Sequence, residues 1–401
     1  MLHTVLELKN SVAGMLSGID LNNIEALNAG LERAARTLVQ KADVPEACIT
    51  QNITLYNGVY DYECDPRIFG TAINDIRPQG VTRNPSDFVY KRPGELFDRT
   101  KSYVMNGTTA TFEYVSGIPI IRIVTNQTIP QIIIDPMSET TGWVAAGSAS
   151  GLTQDNAIYY HQPASLRFTL TGSSAGTLTK TLSNTVDLSS YENVGVAFLA
   201  IQIPEGATAT NLTSIQLKLG SDSGNYDSVT ETEGFLGAWV SGEWLLVAFD
   251  FVGASSTGTP NWSAIDYVQV TLNHTGTFTN FRVGGLWISQ PTQAQILCQS
   301  AAIFKAGTSA ATTTITTDTD TIILNDPAYT IYEIESALEV LRMTGASESN
   351  ALVQGFNARL HGSGQDLGLY SHYRGDNPSQ ELRQVGSWYD SGDNWNTNWN
   401  W

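Results

Sequence analysis

Two periodicities divide the chain. At its start Val5, Leu8, Val12, Met15 and Leu16 recur every three or four residues, and Leu21, Ile24, Leu27, Leu31, Ala35 and Leu38 do so again, so each set lines one face of a helix. The second helix is expected to stop at Asp43, ahead of Pro45. Between Asp135-Pro136 and Pro291 the period changes to two: "ASLRFTLTG", "GTLTKTLSNTVDLS", "NVGVAFLAIQIP", "SIQLKLGS", "GEWLLVAFDF", "AIDYVQVTLN" and "NFRVGGLWIS" read as at least seven strands. That rhythm predicts a large antiparallel β-sandwich, jelly-roll-like. The helical period then returns. Asp326 is expected as an N-cap with Pro327 at the first helical position, Ile331, Ile334, Leu338 and Leu341 as the stripe, and Gly345 as the stop. Leu352, Val353, Phe356 and Leu360 mark a second helix, and "QDLGLYSHY" a short third.

The fold class expected is α+β: a helical bundle formed by N- and C-terminal helices, a small β region, and the sandwich inserted between them and projecting outward. Amphipathic helices need an apolar partner, and the unpartnered stripes lie at the two chain ends. In the small region, "ACITQNITLYNGVYDYECDP" is read as a hairpin turning at Asn57-Gly58, and "YVMNGTTATFEYVSGIPIIRIVT" as a second turning at Asn106-Gly107. "PTQAQILCQSAAIFKAGTS" is read as a linking segment. The boundaries follow: 1–135 helices plus small sheet, 136–291 sandwich, 292–386 return segment and helices, 387–401 a Trp-rich tail.

Charge changes this picture in two places. Lys and Arg number 21 against 39 Asp and Glu, a formal charge of -18, which disfavours specific nucleic-acid binding. Six of those 21 basic residues nevertheless fall between Arg77 and Lys101, and Arg77, Arg83, Lys91 and Arg92 are candidates for touching a partner; the competing reading is a solvated loop, since acids are interleaved. The tail carries Trp388, Trp395, Trp399 and Trp401 in a polar context that builds no core of its own. Those rings either fold back on the protein or pack on a partner. No apolar run is long enough to span a bilayer, and the N-terminus does not read as a signal peptide, so the mature chain is expected to start at Met1.

Candidate chemistry is sparse. Three cysteines without CxxC spacing are expected as free thiols, and five scattered histidines show no metal-binding spacing, so no metal or cofactor is expected. Asp318, Asp320 and Asp326, and separately Asp222 and Asp227, are read as loop carboxylates or as oxygen ligands for Ca²⁺. Trp239 and Trp262 are candidates for stacking on a sugar ring, whereas Trp244 and Trp287 lie in alternating strands and are assigned to the core. Glu243 and Asp250 are carboxylates a glycan-active enzyme could use, but no spacing singles them out and no catalytic motif is present, so a non-enzyme is expected.

The segments "LNNIEALNAGLERAARTLVQKADVPE" and "ITLYNGVYDYECDPRIFGTAINDIRPQG", with the returning C-terminal helices, resemble the neck or tail-adaptor proteins of tailed bacteriophages, the tail-tubular-A-like class of head-to-tail connectors. The resemblance implies a virion structural protein made in the bacterial host cytoplasm, forming a homo-oligomeric ring that joins portal and tail. "GWVAAGSASGLTQDNAIYYHQPASLRFTL" and "NFRVGGLWI" resemble the jelly roll of galactose-binding or carbohydrate-binding modules. That likeness implies the alternative function, a receptor-binding or decoration protein of the virion whose sandwich binds host glycan.

Overall fold

The computed structural model describes residues 3–16, 24–42, 44–78, 88–90, 108–115, 118–124, 129–347, 350–363 and 366–376. A short strand β1 (His3–Thr4) leads into α1 (Val5–Met15). Thr4 caps that helix: its hydroxyl accepts from the Glu7 amide at 3.2 Å while the Glu7 carboxylate accepts from the Thr4 amide at 3.0 Å. α2 (Ile24–Ala42) follows, and then β2 (Cys48–Leu55), β3 (Asp61–Glu63), β4 (Ile68–Pro78), β5 (Phe88–Tyr90), β6 (Thr108–Val115) and β7 (Ile118–Val124).

The two expected hairpins are corrected here. A turn does form at Asn57-Gly58, but the strands it joins enter different sheets: β2 pairs with a strand far along the chain, and β3 pairs with β7. The second hairpin is β6 with β7, whose register runs from Thr109 opposite Val124 to Val115 opposite Ile118, so these two strands are joined between Val115 and Ile118; Asn106-Gly107 lies outside the described residues.

The sandwich is built from β8 (Gln131–Asp135), β9 (Trp143–Gly147), β10 (Ala149–Asp155), β11 (Ser165–Leu170), β12 (Gly176–Val186), β13 (Val196–Gln202), β14 (Leu212–Asp222), β15 (Asn225–Glu231), β16 (Trp244–Asp250), β17 (Ser255–Thr257), β18 (Ile265–His274) and β19 (Phe278–Ser289). All seven strands read from the sequence are among them. One sheet has the order β10-β11-β19-β13-β16 with β8 added to β19, and the other β17-β15-β14-β18-β12-β9. Because the chain changes sheet at most connections, the sandwich is jelly-roll-like. Leu199, Ile201, Val247, Phe249 and Leu286 of the first sheet share one buried core with Ile215, Leu217, Val268 and Val270 of the second.

The first sheet is also covered on its other face, and we call it the inner sheet. Val196, Phe198 and Ala200 of β13 and Trp287 of β19 pack with Ile53, Leu55, Tyr62, Ile76 and Ile121 of the small region. The sandwich therefore does not project freely. β13 alternates between two buried environments, which is why its sequence "VAFLAI" is apolar throughout instead of alternating.

β20 (Thr292–Ser300) corrects the expected linking segment: it is the middle strand of β2-β20-β4. Two short strands, β21 (Phe304–Lys305) and β22 (Thr321–Ile322), join β1, and then come α3 (Asp326–Met343), α4 (Ala351–His361), the hairpin β23 (Gly362–Ser363) with β24 (Asp366–Leu367), and α5 (Leu369–Asp376). The N-cap of α3 is Asn325, one residue before the expected Asp326; its side chain accepts from the Ala328 amide at 2.9 Å. Helices from both ends of the chain share one apolar cluster, in which Leu31, Leu38, Tyr332 and Leu338 are fully buried. Burying each such side chain contributes about 1.5–3 kcal/mol. α2 and α3 approach closely at Gly30, where an added Cβ would come within 2.9 Å of Val340.

One charged contact sits inside this cluster. The Glu335 carboxylate, 1% exposed, accepts from Lys41 Nζ at 2.8 Å and from the Tyr370 hydroxyl at 2.7 Å, joining α2, α3 and α5. Removing the cation leaves a buried anion without its counter-charge. Lys41→Ala is expected to lower stability in urea denaturation by about 3 kcal/mol, and adding Glu335→Gln to restore part of that loss. A loss below about 0.5 kcal/mol, the range of ordinary surface changes, contradicts this role.

The three cysteines are free thiols. Burial pushes the Cys64 thiol up to about 12, with Asp65 and Glu63 adding to it, and burial likewise raises Cys298. Thiolate is the reactive form. An aromatic disulfide reagent should therefore label at most the half-buried Cys48 in the native protein, and all three thiols after denaturation; rapid native labelling of Cys64 or Cys298 would contradict the packing.

Candidate functional site

Where the cover over the inner sheet ends, a shallow, open cleft with a cavity volume of about 50 Å³ remains. Its walls come from four segments: Tyr60 and Asp61 at the start of β3, Tyr160 between β10 and β11, the loop 234–240 between β15 and β16, and Glu243 with Trp244 at the start of β16.

Each wall is fixed by local physical chemistry. The loop closes on itself through reciprocal backbone bonds, Gly234 N–H to Gly237 O at 2.7 Å and Gly237 N–H to Gly234 O at 3.0 Å. Gly237 has φ +107, a conformation in which glycine is favoured. The Phe235 amide donates to Leu246 O at 2.7 Å, docking the loop on β16, and the Phe235 ring meets Tyr56, Tyr62 and Phe198 edge-on. Trp244 stands on the covered face of β16, half-buried, 5.8 Å from the Tyr160 ring at an interplanar angle of 59°. Room for it is made at Gly284, where an added Cβ would come within 3.0 Å of Trp244 Cη2. Beneath these rings lies Trp287, 3% exposed, stacked with Tyr160 at 6.1 Å and with Phe198 at 5.7 Å.

Among the described residues, two carboxylates line the cleft. Asp61 is held from behind by Arg122, its direct cross-strand partner on β7, 2% exposed, which donates to one oxygen through Nε and to the other at 3.1 Å. Glu243 lies exposed at the mouth. Burial raises the Tyr60 phenol above its ordinary value, so it stays protonated and able to donate. Just upstream of the loop, burial and then the neighbouring Glu233 and Asp250 raise the Glu231 carboxyl.

The structure redistributes the residues singled out from sequence. Trp239 and Trp262 do not present ring faces to a sugar: they are 9% and 3% exposed within the sandwich core, and Trp262 Nε1 donates to Asp227 at 2.6 Å. Trp287 is core, as expected, whereas Trp244 lines the cleft. The glycine-punctuated aromatic run "GFLGAWVSGEW" around it marks a loop, but not where the cover ends. Tyr60, Asp61 and Tyr160 carried no motif; only the fold brings them together.

The carboxylates read as possible Ca²⁺ ligands face protein donors instead. Asp320 accepts from the Thr316 and Thr317 amides and the Thr317 hydroxyl, Asp318 from Lys9 at 2.6 Å, and Asp222 from Gly224 and Asn225. Asp227 accepts from Ser256 and Trp262, and His3 lies 3.5 Å from Asp326. Among the described residues no group of three or more His, Cys, Asp or Glu is placed to hold a metal ion. Asp250 ends β16 and Glu243 stands one residue before that strand begins, so the two lie roughly 20 Å apart by strand rise. That exceeds the ~9.5 Å limit of a glycosidase pair, so these two do not act together. Arg77 lies on β4 opposite Gln295, with its side chain outside the described residues. Arg83, Lys91, Arg92, Trp388, Trp395, Trp399 and Trp401 fall outside them altogether. No helix among the described residues is long and apolar enough to cross a membrane.

The raised Glu231 carboxyl fixes the sign of a pH effect. A carboxyl whose folded value lies above its unfolded one binds protons more readily in the folded state, so it costs stability at neutral pH, and that cost declines as pH falls below the folded value and is gone below the unfolded one. Glu231 is only partly buried, so solvent screening keeps the effect small. Glu231→Gln is expected to stabilise the protein by roughly a few tenths of a kcal/mol at pH 7 and by nothing near pH 4, read from thermal melts. Destabilisation at pH 7 would contradict the crowding of these acids.

No family model matches this chain, and no curated protein matches it. Among solved structures, a family 30 carbohydrate-binding module is similar at 15% identity and TM-score 0.32, over 40% of this chain and 99% of that one. A family 11 carbohydrate-binding module from Clostridium thermocellum, in complex with a β-1,3-1,4-mixed-linked tetrasaccharide, is similar at 13% identity and TM-score 0.29, over 40% and 96%. TmCBM61, in complex with β-1,4-galactotriose, is similar at 11% identity and TM-score 0.24, over 38% and 91%. Likenesses of this strength carry no argument, and the sandwich stands on its own strand pairing. None of these matches lends support to the resemblance to phage neck adaptors.

Proposed function

We propose that the protein binds sugar, in the cleft between the loop 234–240 and the Tyr60, Tyr160 and Trp244 rings. The observation that carries this reading is the combination of half-buried aromatic rings with carboxylates in one concave site. One face of a sugar ring is a patch of weakly positive C–H groups that packs against an aromatic face, and its rim is hydroxyl groups that donate to carboxylates. Apolar walls with a few placed polar groups are the general pattern of a small-molecule site. In this reading Trp244 and Tyr160 supply the stacking surfaces, Glu243 accepts from ring hydroxyls, and Asp61, oriented by Arg122, accepts from deeper ones. The site binds without cleaving; hydrolysis of any polysaccharide by the purified protein would contradict that part.

The finer setting belongs to the same proposal. A glycan-binding virion component, acting as receptor-binding or decoration protein, is the setting that fits a sugar site. The reading as a ring-forming adaptor between portal and tail has no feature among the described residues that favours it over this one.

The test is a glycan array on the full-length protein, with the best binder carried into calorimetric titration. Trp244→Ala should weaken binding at least roughly tenfold, in the range for deleting a stacked ring, while the thermal melt stays within a few degrees of wild type. Binding unchanged in Trp244→Ala places the site elsewhere, and an array without any binder removes the proposal.

A further inference from the structure

We infer that the cleft selects sugars carrying an acetamido group, whose carbonyl accepts from the Tyr60 hydroxyl while its methyl packs on the aliphatic part of the lining. This rests on the sugar-binding reading and deepens it by naming the sugar class.

The first observation is a placed donor. Tyr60 lines the cleft half-buried, and its backbone is tied to β7, where the Ile123 amide donates to Tyr60 O at 2.7 Å. Its hydroxyl makes no hydrogen bond to a described residue, in contrast to that of Tyr62, which donates to Val59 O at 3.0 Å. Burial keeps the Tyr60 phenol protonated at neutral pH, so it offers a proton and carries no charge. A ligand that covers this hydroxyl takes it from water, and a donor left there without an acceptor costs affinity.

The second observation is the aliphatic surface beside it. Leu236, Ala238 and Val240 of the loop and Leu246 of β16 line the same cleft; Ala238 is exposed and the other three are half-buried. Aromatic faces suit the C–H face of a sugar ring, but a rim of hydroxyls loses hydrogen bonds to water against aliphatic side chains. A methyl gains from the same contact, about fourfold in affinity when it is taken out of water. An acetamido group presents a methyl and a neutral acceptor side by side, the pair that this lining matches. A 6-deoxy sugar has the methyl without the carbonyl, and a bare hydroxyl lacks the methyl. Ligands without the acceptor leave the donor unpaired, which is how a polar group built into a site discriminates.

The test compares matched ligands on the full-length protein. Chitohexaose, cellohexaose and the glucosamine hexamer share one β-1,4-linked backbone and differ at C2 in bearing acetamido, hydroxyl and amine; each is titrated by calorimetry. The N-acetylated amino sugars of the galacto and manno series are compared with galactose and mannose, and fucose with galactose. Wild-type protein should bind the acetamido member of at least one pair about fivefold or more tighter than its plain partner. In Tyr60→Phe, which keeps the ring and removes the O–H, that ratio should fall by at least about threefold. Thermal melts establish that the variant is folded. A ratio below about fivefold in every pair, with sugar binding intact, overturns the inference alone. Tighter binding of fucose than of any acetamido sugar overturns the part played by the carbonyl. A smaller fall in Tyr60→Phe overturns the assignment to Tyr60. Binding of no sugar at all overturns the sugar-binding reading itself, and this inference with it.

Discussion

The seating of Trp287 against the Asn57-Gly58 turn is the contact on which the rest of the arrangement depends. The indole Nε1 donates to Asn57 O at 2.9 Å, and the Asn57 amide donates back to the Ser289 hydroxyl at 2.9 Å. Gly58, at φ +78, brings backbone so near that an added Cβ would lie 3.1 Å from the indole nitrogen. This closes the second face of the inner sheet. Antiparallel sheets commonly leave one face to water; here the central strand β13 is buried on both faces, and sandwich and small sheets cohere through shared apolar packing. The cleft is the place where that cover stops, so its aromatic walls are the edge of a core and are held with the rigidity of one.

Rigidity of this kind suits recognition of a flat, polar ligand. Trp244 is confined by Gly284 and Tyr160, and Tyr160 by Trp287 beneath it, so little side-chain freedom is lost when a ligand arrives. Asp61 is oriented in the same way by a buried guanidinium. The Asp61 carboxylate of the cleft is thus positioned by the core.

The sandwich was legible in the sequence because its strands alternate, and alternation reports a face turned to a core. β13 was legible only as a strand: a run apolar at every position says that both faces are buried but not by what. The small region was harder, since a turn at Asn57-Gly58 looks the same whether its two strands pair with each other or leave for different sheets. β20 looked like a linker because its pairing partners, β2 and β4, lie more than two hundred residues upstream. The cleft was hidden for the same reason. Trp244 reads as an ordinary inward residue of β16, and nothing local marks the edge of the cover as falling beside it, while Trp239 and Trp262 sit in loops that turn out to fold inward.

The most direct test of the central claim is the structure of the full-length protein crystallised with the neutral oligosaccharide that binds it best. The account predicts a sugar ring lying against Trp244, with its hydroxyls within hydrogen-bond distance of Glu243 and with Trp287 still seated on the Asn57-Gly58 turn. A sugar bound on the outer face of the other sheet, or one that enters only after Trp287 has left that turn, would contradict it.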